Sequence, residues 1–320
     1  MPYYKEMKFS GALLHCLLAP LWTITPALPF ILLYLFIFHT LAGVALFTFL
    51  AFNTVYHYKY SPAFLQWVYW LDMSSYYEKC ELRGALDQMA TSGSVYCFHP
   101  HGILSVGFVV NGVWSKQFNT LAGGDPTASK WEGTVFLIAQ NLREWSGLFK
   151  VLCDVSGRLE SATSFNIRRW MRQRRNLAII PGGFEDATLF VYGRELTAVR
   201  KRKGLVKYAL ENGYKLFPIW TFGESETYST FTGLLDGRLW LNRFQIPAVI
   251  FFGAYFMPLL PKPSVRVYTY VGPPLELPQI DKPTIVQVDE WHAKYIVALE
   301  KLFNENKAAA GKPDAKLELW

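Results

Sequence analysis

The sequence predicts an α/β domain, a sheet flanked by helices, preceded by an apolar helical hairpin. Three observations carry that expectation. Short strand-like runs such as residues 94–99 (SVYCFH) and 177–180 (LAII) alternate with helical stretches such as 163–175 and 204–212, the pattern of layered α/β domains. Two of the runs end in turns, His99-Pro100-His101-Gly102 and Pro181-Gly182-Gly183, at the strand ends where such sheets place their ligands. Residues 9–52 contain no charged side chain.

A chain of 320 residues holds one large domain with additions or two modest ones. Hydrophobic residues make up 51% and aromatic residues 17%, against only 18% charged. The excess is concentrated at the N terminus, which points to apolar surface facing lipid rather than to an enlarged core. The net charge of +7 suits anionic lipid or a phosphorylated substrate. Nucleic acid is not expected, because no C2H2 spacing or RNP-like aromatic run occurs. Cys16, Cys80, Cys97 and Cys153 are scattered and outline no disulfide framework, so the domain is expected to face the reducing cytosol.

The hairpin comes first. Its halves, residues 11–24 and 28–52, are separated by Pro26 and Pro29, which disrupt helices. One bilayer crossing takes about 20 apolar residues, so the run suits two linked spans or a hairpin dipping into one leaflet. It far exceeds the core of a signal peptide, about 7–15 residues. Lys5 and Lys8 precede it and Lys59, Lys79 and Arg83 follow, which places both ends on the cytosolic side. His15 and His39, inside the run, are expected to pack at helix contacts or the interface. The chain thus divides into residues 1–58, a cytosolic tip and membrane hairpin, and 59–320, a cytosol-facing domain.

Residues 60–92 are expected as an amphipathic helix near the membrane surface. A strand over 94–99 leads into a helix over 102–116, then a strand over 134–139. The basic helix 163–175, strand 177–180, helix 204–212 and strand 215–221 follow. The apolar segment 246–260 (IPAVIFFGAYFMPLL) reads as membrane-dipping, acyl-chain-facing or core. A strand over 265–271 and a helix over 284–307 end the domain.

Three chemistries compete for the histidine turn. Cys97, His99 and His101 alternate, so they could share one strand face and bind zinc. Pro100 disturbs that strand and no fourth ligand follows, so no metal is expected. The histidines could also serve only to satisfy each other and the turn. Catalysis is the third reading. A neutral imidazole takes a proton from a hydroxyl near neutral pH, and Gly102 lets backbone and substrate approach closely. Acyl transfer to an alcohol needs that base, donors for an oxyanion and a site for the acyl carrier. Glu185 and Asp186 follow Gly182-Gly183, and Arg200, Lys201, Arg202 and Lys203 precede a helix. Those cations suit phosphate at a helix start or a solvated surface.

Four ordered blocks give these residues a context: HPHG at 99–102, PGGFED at 181–186, RKGLVKYAL at 202–210 and FPIWTFGESETY at 217–228. With the N-terminal hairpin and the ending HAKYIVALEKLFNENK at 292–307, the chain resembles the diacylglycerol acyltransferase type 2 family, which includes monoacylglycerol and wax-alcohol acyltransferases. The resemblance implies a glycerolipid-acyltransferase-like sheet flanked by helices. It also implies an endoplasmic-reticulum enzyme that esterifies diacylglycerol with acyl-CoA to give triacylglycerol. Acyl-CoA is then a co-substrate, and no cofactor is expected. The family's histidine signature falls on His99, Pro100, His101 and Gly102, and the acid of its PGGxxE pattern falls on Asp186, with Glu185 beside it. The His-x4-Asp acid of distantly related acyltransferases is absent, since Leu104 and Val106 hold the candidate positions. The family's YFP tripeptide stands here as Tyr76-Tyr77-Glu78, and its Pro-Arg pair is missing.

The expected mechanism makes His101, supported by His99, the base on the acceptor hydroxyl. Glu185 or Asp186 orients the imidazole, N–H groups near Gly102 or Gly182-Gly183 hold the oxyanion, and the 200–203 cations hold CoA phosphates. Monoacylglycerol or a fatty alcohol as acceptor stays open, as does a non-catalytic membrane lipid-binding protein. Homo-oligomer formation, residence on lipid droplets and acyl-chain preference also stay open.

Overall fold

The computed structural model describes residues 9–244 and 248–320. Twelve strands run along the described residues: β1 (Lys79–Gly84), β2 (Ser94–His99), β3 (Val135–Ile138), β4 (Leu159–Ser161), β5 (Leu177–Ile179), β6 (Glu195–Thr197), β7 (Lys215–Phe222), β8 (Ser229–Thr230), β9 (Phe251–Phe252), β10 (Arg266–Val271), β11 (Leu275–Glu276) and β12 (Leu317–Leu319). The main sheet has the order β1-β10-β7-β2-β5-β3-β4, with β11 added on β7. From β7 through β2, β5 and β3 to β4 the pairing is parallel, whereas β10 runs antiparallel to β7. Parallel strands are buried on both faces, and β2 has every residue buried.

Alternation along the strands sorts their side chains into two layers. Tyr96, Phe98, Phe217 and Ile219 pack with Leu65, Val68, Phe149 and Leu152 from helices Pro62–Leu71 and Gly147–Ser156. Val95, Cys97, Leu216 and Trp220 face the other way, against helices Ser164–Arg172, Gly204–Asn212 and Ile285–Asn306. This confirms the α/β class, and the helices expected over 204–212 and 284–307 stand within a residue of their expected bounds.

Three regions differ from expectation. Of residues 60–92 only Pro62–Leu71 is α-helical, and Lys79–Gly84 is an edge strand. Its charged Lys79, Glu81 and Arg83 alternate with Cys80 and Leu82, a period-two pattern that suits an edge strand. In place of one helix over 102–116 there is a turn, the short helix Val106–Phe108 and a π-helical turn at Val109–Val113. Ser105, at φ 54°, interrupts regular helix geometry there.

The N-terminal region breaks twice. The 3-10 turn Thr25–Ala27 accompanies the expected proline break. A second break at His39 separates helices Leu28–Phe38 and Thr40–Val55, which fold back so that the Phe36 and Phe47 rings lie 6.3 Å apart. Gly43 permits the fold-back, because a Cβ there would press on the Leu35–Phe36 backbone. At 1.5 Å per residue these arms measure roughly 16 and 24 Å. No helix among the described residues is long and apolar enough to cross a membrane. The preceding helix Phe9–Ile24 docks on the domain: His15 stacks on Tyr76 and its Nε2 meets the Tyr77 hydroxyl at 3.1 Å. Below the hairpin, Lys150 donates to the Tyr56 carbonyl and to Asp154, while the Tyr58 N–H donates to Asp154. This buried knot ties the linker after the hairpin to the domain. Residues 246 and 247 of the expected 246–260 segment lie outside the described residues, and beyond them Ile250, Phe252, Tyr255 and Phe256 are exposed.

Candidate active site

The site sits at the C-terminal ends of β2 and β5, where the two expected turns meet. β2 carries His99 into the layer covered by helix Ile285–Asn306, and the following turn carries His101 to the other side. His99 is fully buried. Its Nδ1 lies 2.9 Å from the Thr197 hydroxyl and its Nε2 lies 2.8 Å from the Tyr295 hydroxyl. The Thr197 hydroxyl donates to Asp186 Oδ2 at 3.0 Å. Since a hydroxyl has one proton to give, His99 Nδ1–H donates to Thr197, and Nε2 accepts from Tyr295. The four side chains form one directed chain from Tyr295 through His99 and Thr197 to Asp186. Burial drives the His99 pKa down to about 3, so its imidazole is neutral.

Asp186 closes that chain. It is buried and also accepts the backbone N–H groups of Ala198 and, at 3.2 Å, His101. Burial pushes its pKa up to about 6, against the opposing pull of those donors. Gly182 must lack a side chain here, because a Cβ would collide with the Asp186 carboxylate. Asp186 thus grips the backbone of His101 and reaches His99 through Thr197, without touching either imidazole.

His101 is half-buried, and its Nδ1 lies 3.0 Å from the Gly102 carbonyl and 3.2 Å from Ser105 Oγ. A carbonyl only accepts, so Nδ1 carries the proton and Nε2 keeps its lone pair. Burial lowers this pKa from the usual histidine value, which keeps the ring neutral at pH 7. A second buried carboxylate holds the turn from beneath. Glu224 accepts the Val106 N–H at 3.0 Å and the Gly107 N–H at 2.8 Å, and burial raises its pKa to about 8. Gly102, at φ 64°, leaves room for it, since a Cβ would strike that carboxylate.

His101, Ser105 and Gly183 open on a cavity of about 1630 Å³. Its walls are largely apolar: Phe30, Phe47 and Leu50 of the hairpin, Phe149 and Leu152 of the domain, and Phe251 of β9 contribute. His99 and Asp186 do not line it. The other expected site residues are placed outside this centre. Glu185 pairs with Arg202 at 3.0 Å instead of reaching the histidines. Lys203 pairs with Asp289 at 2.7 Å, and Arg200 Nε donates to the Leu319 carbonyl at 3.1 Å. Lys201 is exposed. Among the described residues no group of three His, Cys, Asp or Glu side chains could hold a metal ion.

Thr197, Tyr295 and Ser105 escaped the sequence reading, whereas Gly223, Glu224 and Glu226, following a buried strand, read from the sequence as pocket wall or structural turn. Thr197 and Tyr295 lie 98 and 196 positions from His99, so no local spacing announces them. Ser105 and Glu224 carry a local signal: one follows the histidine turn, and the other follows the buried strand next to β2.

The diacylglycerol acyltransferase family profile matches residues 30–320. Human acyl-CoA wax alcohol acyltransferase 1 is 31% identical over 260 residues, covering 77% of this chain and 75% of that protein. Human diacylglycerol O-acyltransferase 2 is 28% identical over 270 residues, 78% of this chain and 66% of the relative. Human 2-acylglycerol O-acyltransferase 3 is 31% identical over 232 residues, 67% and 64% of the two chains. Among solved structures, the 1-acyl-sn-glycerophosphate acyltransferase PlsC of Thermotoga maritima aligns at TM-score 0.42 and 12% identity, over 93% of this chain and 98% of that one. The chain belongs to the diacylglycerol acyltransferase family and is an acyltransferase.

Proposed function

We propose that the protein transfers the acyl group of acyl-CoA to the hydroxyl of diacylglycerol, with His101 as general base. One observation carries this reading: of the two histidines in the turn, His101 alone lines the apolar cavity. That cavity exceeds the roughly 300–1,000 Å³ of ordinary small-molecule pockets, as a substrate with several acyl chains requires. His101 Nε2 takes the acceptor's proton as its oxygen forms a bond to the thioester carbonyl carbon. The tetrahedral oxyanion is held by first-turn N–H groups of helix Gly183–Leu189, which have no intrahelical partner. Collapse breaks the carbon–sulfur bond, and the imidazolium returns its proton to the CoA thiolate. No acyl-enzyme forms. Asp186 and His99 act as positioning residues. Arg200 and Lys201, which have no carboxylate within ion-pair distance among the described residues, meet the CoA phosphates nearest the site.

The membrane reading goes with this chemistry. The hairpin arms are short against a hydrocarbon core of about 30 Å, which favours a hairpin dipping into one leaflet, with both chain ends and the catalytic domain on the cytosolic face of the endoplasmic reticulum. Phe30, Leu33 and Ile37 on the hairpin, Phe252 of β9, and Tyr255 and Phe256 just after it are all exposed, while neighbouring residues of both segments line the cavity. Such exposed apolar patches mark interaction surfaces, and the acceptor lipid enters between them.

Microsomes containing the full chain, given labelled palmitoyl-CoA and a panel of acceptors, test the reading by product chromatography. Triacylglycerol from added diacylglycerol is expected as the main product. A preference for monoacylglycerol or a fatty alcohol would move the acceptor, and no ester from any of them would overturn the assignment.

A further inference from the structure

The basic helix Ser164–Arg172 is left unused by the chemistry above. Its inner side buries Ile167 and Met171 against the sheet. Its outer side forms a groove of about 490 Å³ bordered by Ser164, Phe165, Arg168, Arg169, Arg172 and Gln173. Arg168 is committed, lying 3.6 Å from Glu211 and 4.8 Å from the Tyr208 ring centroid. Arg169 and Arg172 are exposed, and neither has a carboxylate within 4.0 Å among the described residues. Phe165 is 72% exposed beside them. Arg169 lies 4.9 Å from the Trp170 ring centroid, which leaves its N–H groups without an anionic partner, and a solvated helix face has no need of an exposed phenylalanine next to two such guanidinium groups. Together they match a ligand with a flat ring and phosphate, because guanidinium binds phosphate through paired N–H donors.

The position of the groove identifies that ligand. Ala162 and Thr163, the residues immediately before the helix, line the cavity that holds His101. The helix also packs beside helix Gly204–Asn212 through Arg168, Tyr208 and Glu211, and that neighbour begins just after Arg200 and Lys201. Each helix leads into a parallel strand of the sheet, β5 or β7, so both start at the catalytic edge. A basic path therefore runs from the cavity rim down the outer face of Ser164–Arg172.

We propose that this groove binds the phosphorylated nucleotide end of acyl-CoA, with Arg169 and Arg172 on its 3′-phosphate and Phe165 against the adenine. The proposal rests on acyl-CoA being the donor. The thioester then lies at His101, the pantetheine arm crosses the rim near Thr163, and the nucleotide remains in water.

The test compares three forms of the full chain, wild type, the R169A/R172A double variant and the conservative R169K/R172K variant, with palmitoyl-CoA and with palmitoyl-dephospho-CoA, which lacks the 3′-phosphate. For the alanine variant, KM for palmitoyl-CoA is expected to rise about tenfold or more, the scale of losing charge-assisted hydrogen bonds, with kcat within about twofold. Its KM for the dephospho donor is expected to match wild type, and the lysine variant is expected to recover most of the difference. Adenosine 3′,5′-bisphosphate is expected to inhibit wild type and spare the alanine variant. An unchanged KM, or an equal rise with both donors, would overturn the site. So would an unchanged KM with lost binding to phosphatidylserine vesicles, which would assign the groove to lipid headgroups. A wild-type chain that transfers nothing from palmitoyl-CoA would instead sink the donor reading itself.

Discussion

His99 and His101 are separated by one proline and occupy opposite worlds. His99 sits under the terminal helix with both ring nitrogens engaged, by Thr197 and by Tyr295. His101 is held by its backbone to Asp186 and lines the cavity, with Ser105 Oγ 3.5 Å from its ring nitrogen Nε2. Burial removes charge from both rings, but only one has a lone pair left to use. The difference separates a histidine that builds the site from one available for chemistry.

The largest expected effect follows from that contrast. His101→Ala should lower kcat by about 10²–10⁴, the range for loss of a general base, while the protein stays folded. His99→Ala should act through stability, because the buried Thr197 and Tyr295 hydroxyls each lose a partner at about 1–3 kcal/mol. Radiolabelled ester formation and thermal unfolding, measured on both variants, separate the roles. A stable His99→Ala protein without activity, beside an active His101→Ala protein, would exchange them. The pH profile sharpens the same point. Only the neutral imidazole of His101 accepts a proton, and burial lowers its pKa from the ordinary histidine value of 6.5. Activity should therefore hold level from neutral pH down past 6.5 and fall only below it; an acid limb above pH 7 would show that a carboxylate reaches the ring.

The histidine turn, the Gly182-Gly183 turn and most strands that carry them were legible in the sequence, because alternation and turn residues are local signals. What joins the turns was not. Thr197 and Tyr295 come from distant segments, and a hydroxyl bridging two buried groups leaves no pattern in its own neighbourhood. Glu185 and Asp186 could not be told apart either. Adjacent helical positions point about 100° apart, so one faces in and its neighbour out, and the sequence alone does not show which. The break at His39 escaped for a similar reason: no proline or glycine marks it, and Gly43, which makes the close approach, lies four residues later.

Thr197→Val should have the next largest effect, since it cuts the chain between the two buried groups. Its cost should be about 1–3 kcal/mol, with Thr197→Ser close to wild type. The sign of its pH dependence can be derived. Burial raises the Asp186 pKa from the ordinary aspartate value of 3.8 to about 6. The fold therefore favours the protonated carboxyl, and this contribution is fully present below the unfolded value and lost as pH rises through about 6. The Thr197 hydroxyl supports the ionised form, so removing it should cost more at pH 7.5 than at pH 5. Urea unfolding at the two pH values measures this, and an equal penalty at both would mean that the Thr197 hydroxyl does not serve the carboxylate.

The smallest expected effect belongs to Glu185, one residue from Asp186. Its side chain is 33% exposed and pairs with an Arg202 that is 46% exposed, and such surface pairs contribute about 0–1 kcal/mol. Glu185→Gln keeps the shape and removes only the charge. Stability should change by no more than about 0.5 kcal/mol, moderate salt should remove what difference remains, and the rate of ester formation should stay within about twofold. A tenfold loss of kcat at unchanged stability would put the outer carboxylate into the chemistry. The Arg202 pair would then have to open during turnover, and the division of labour between the two adjacent acids would fail even if that between the two histidines held.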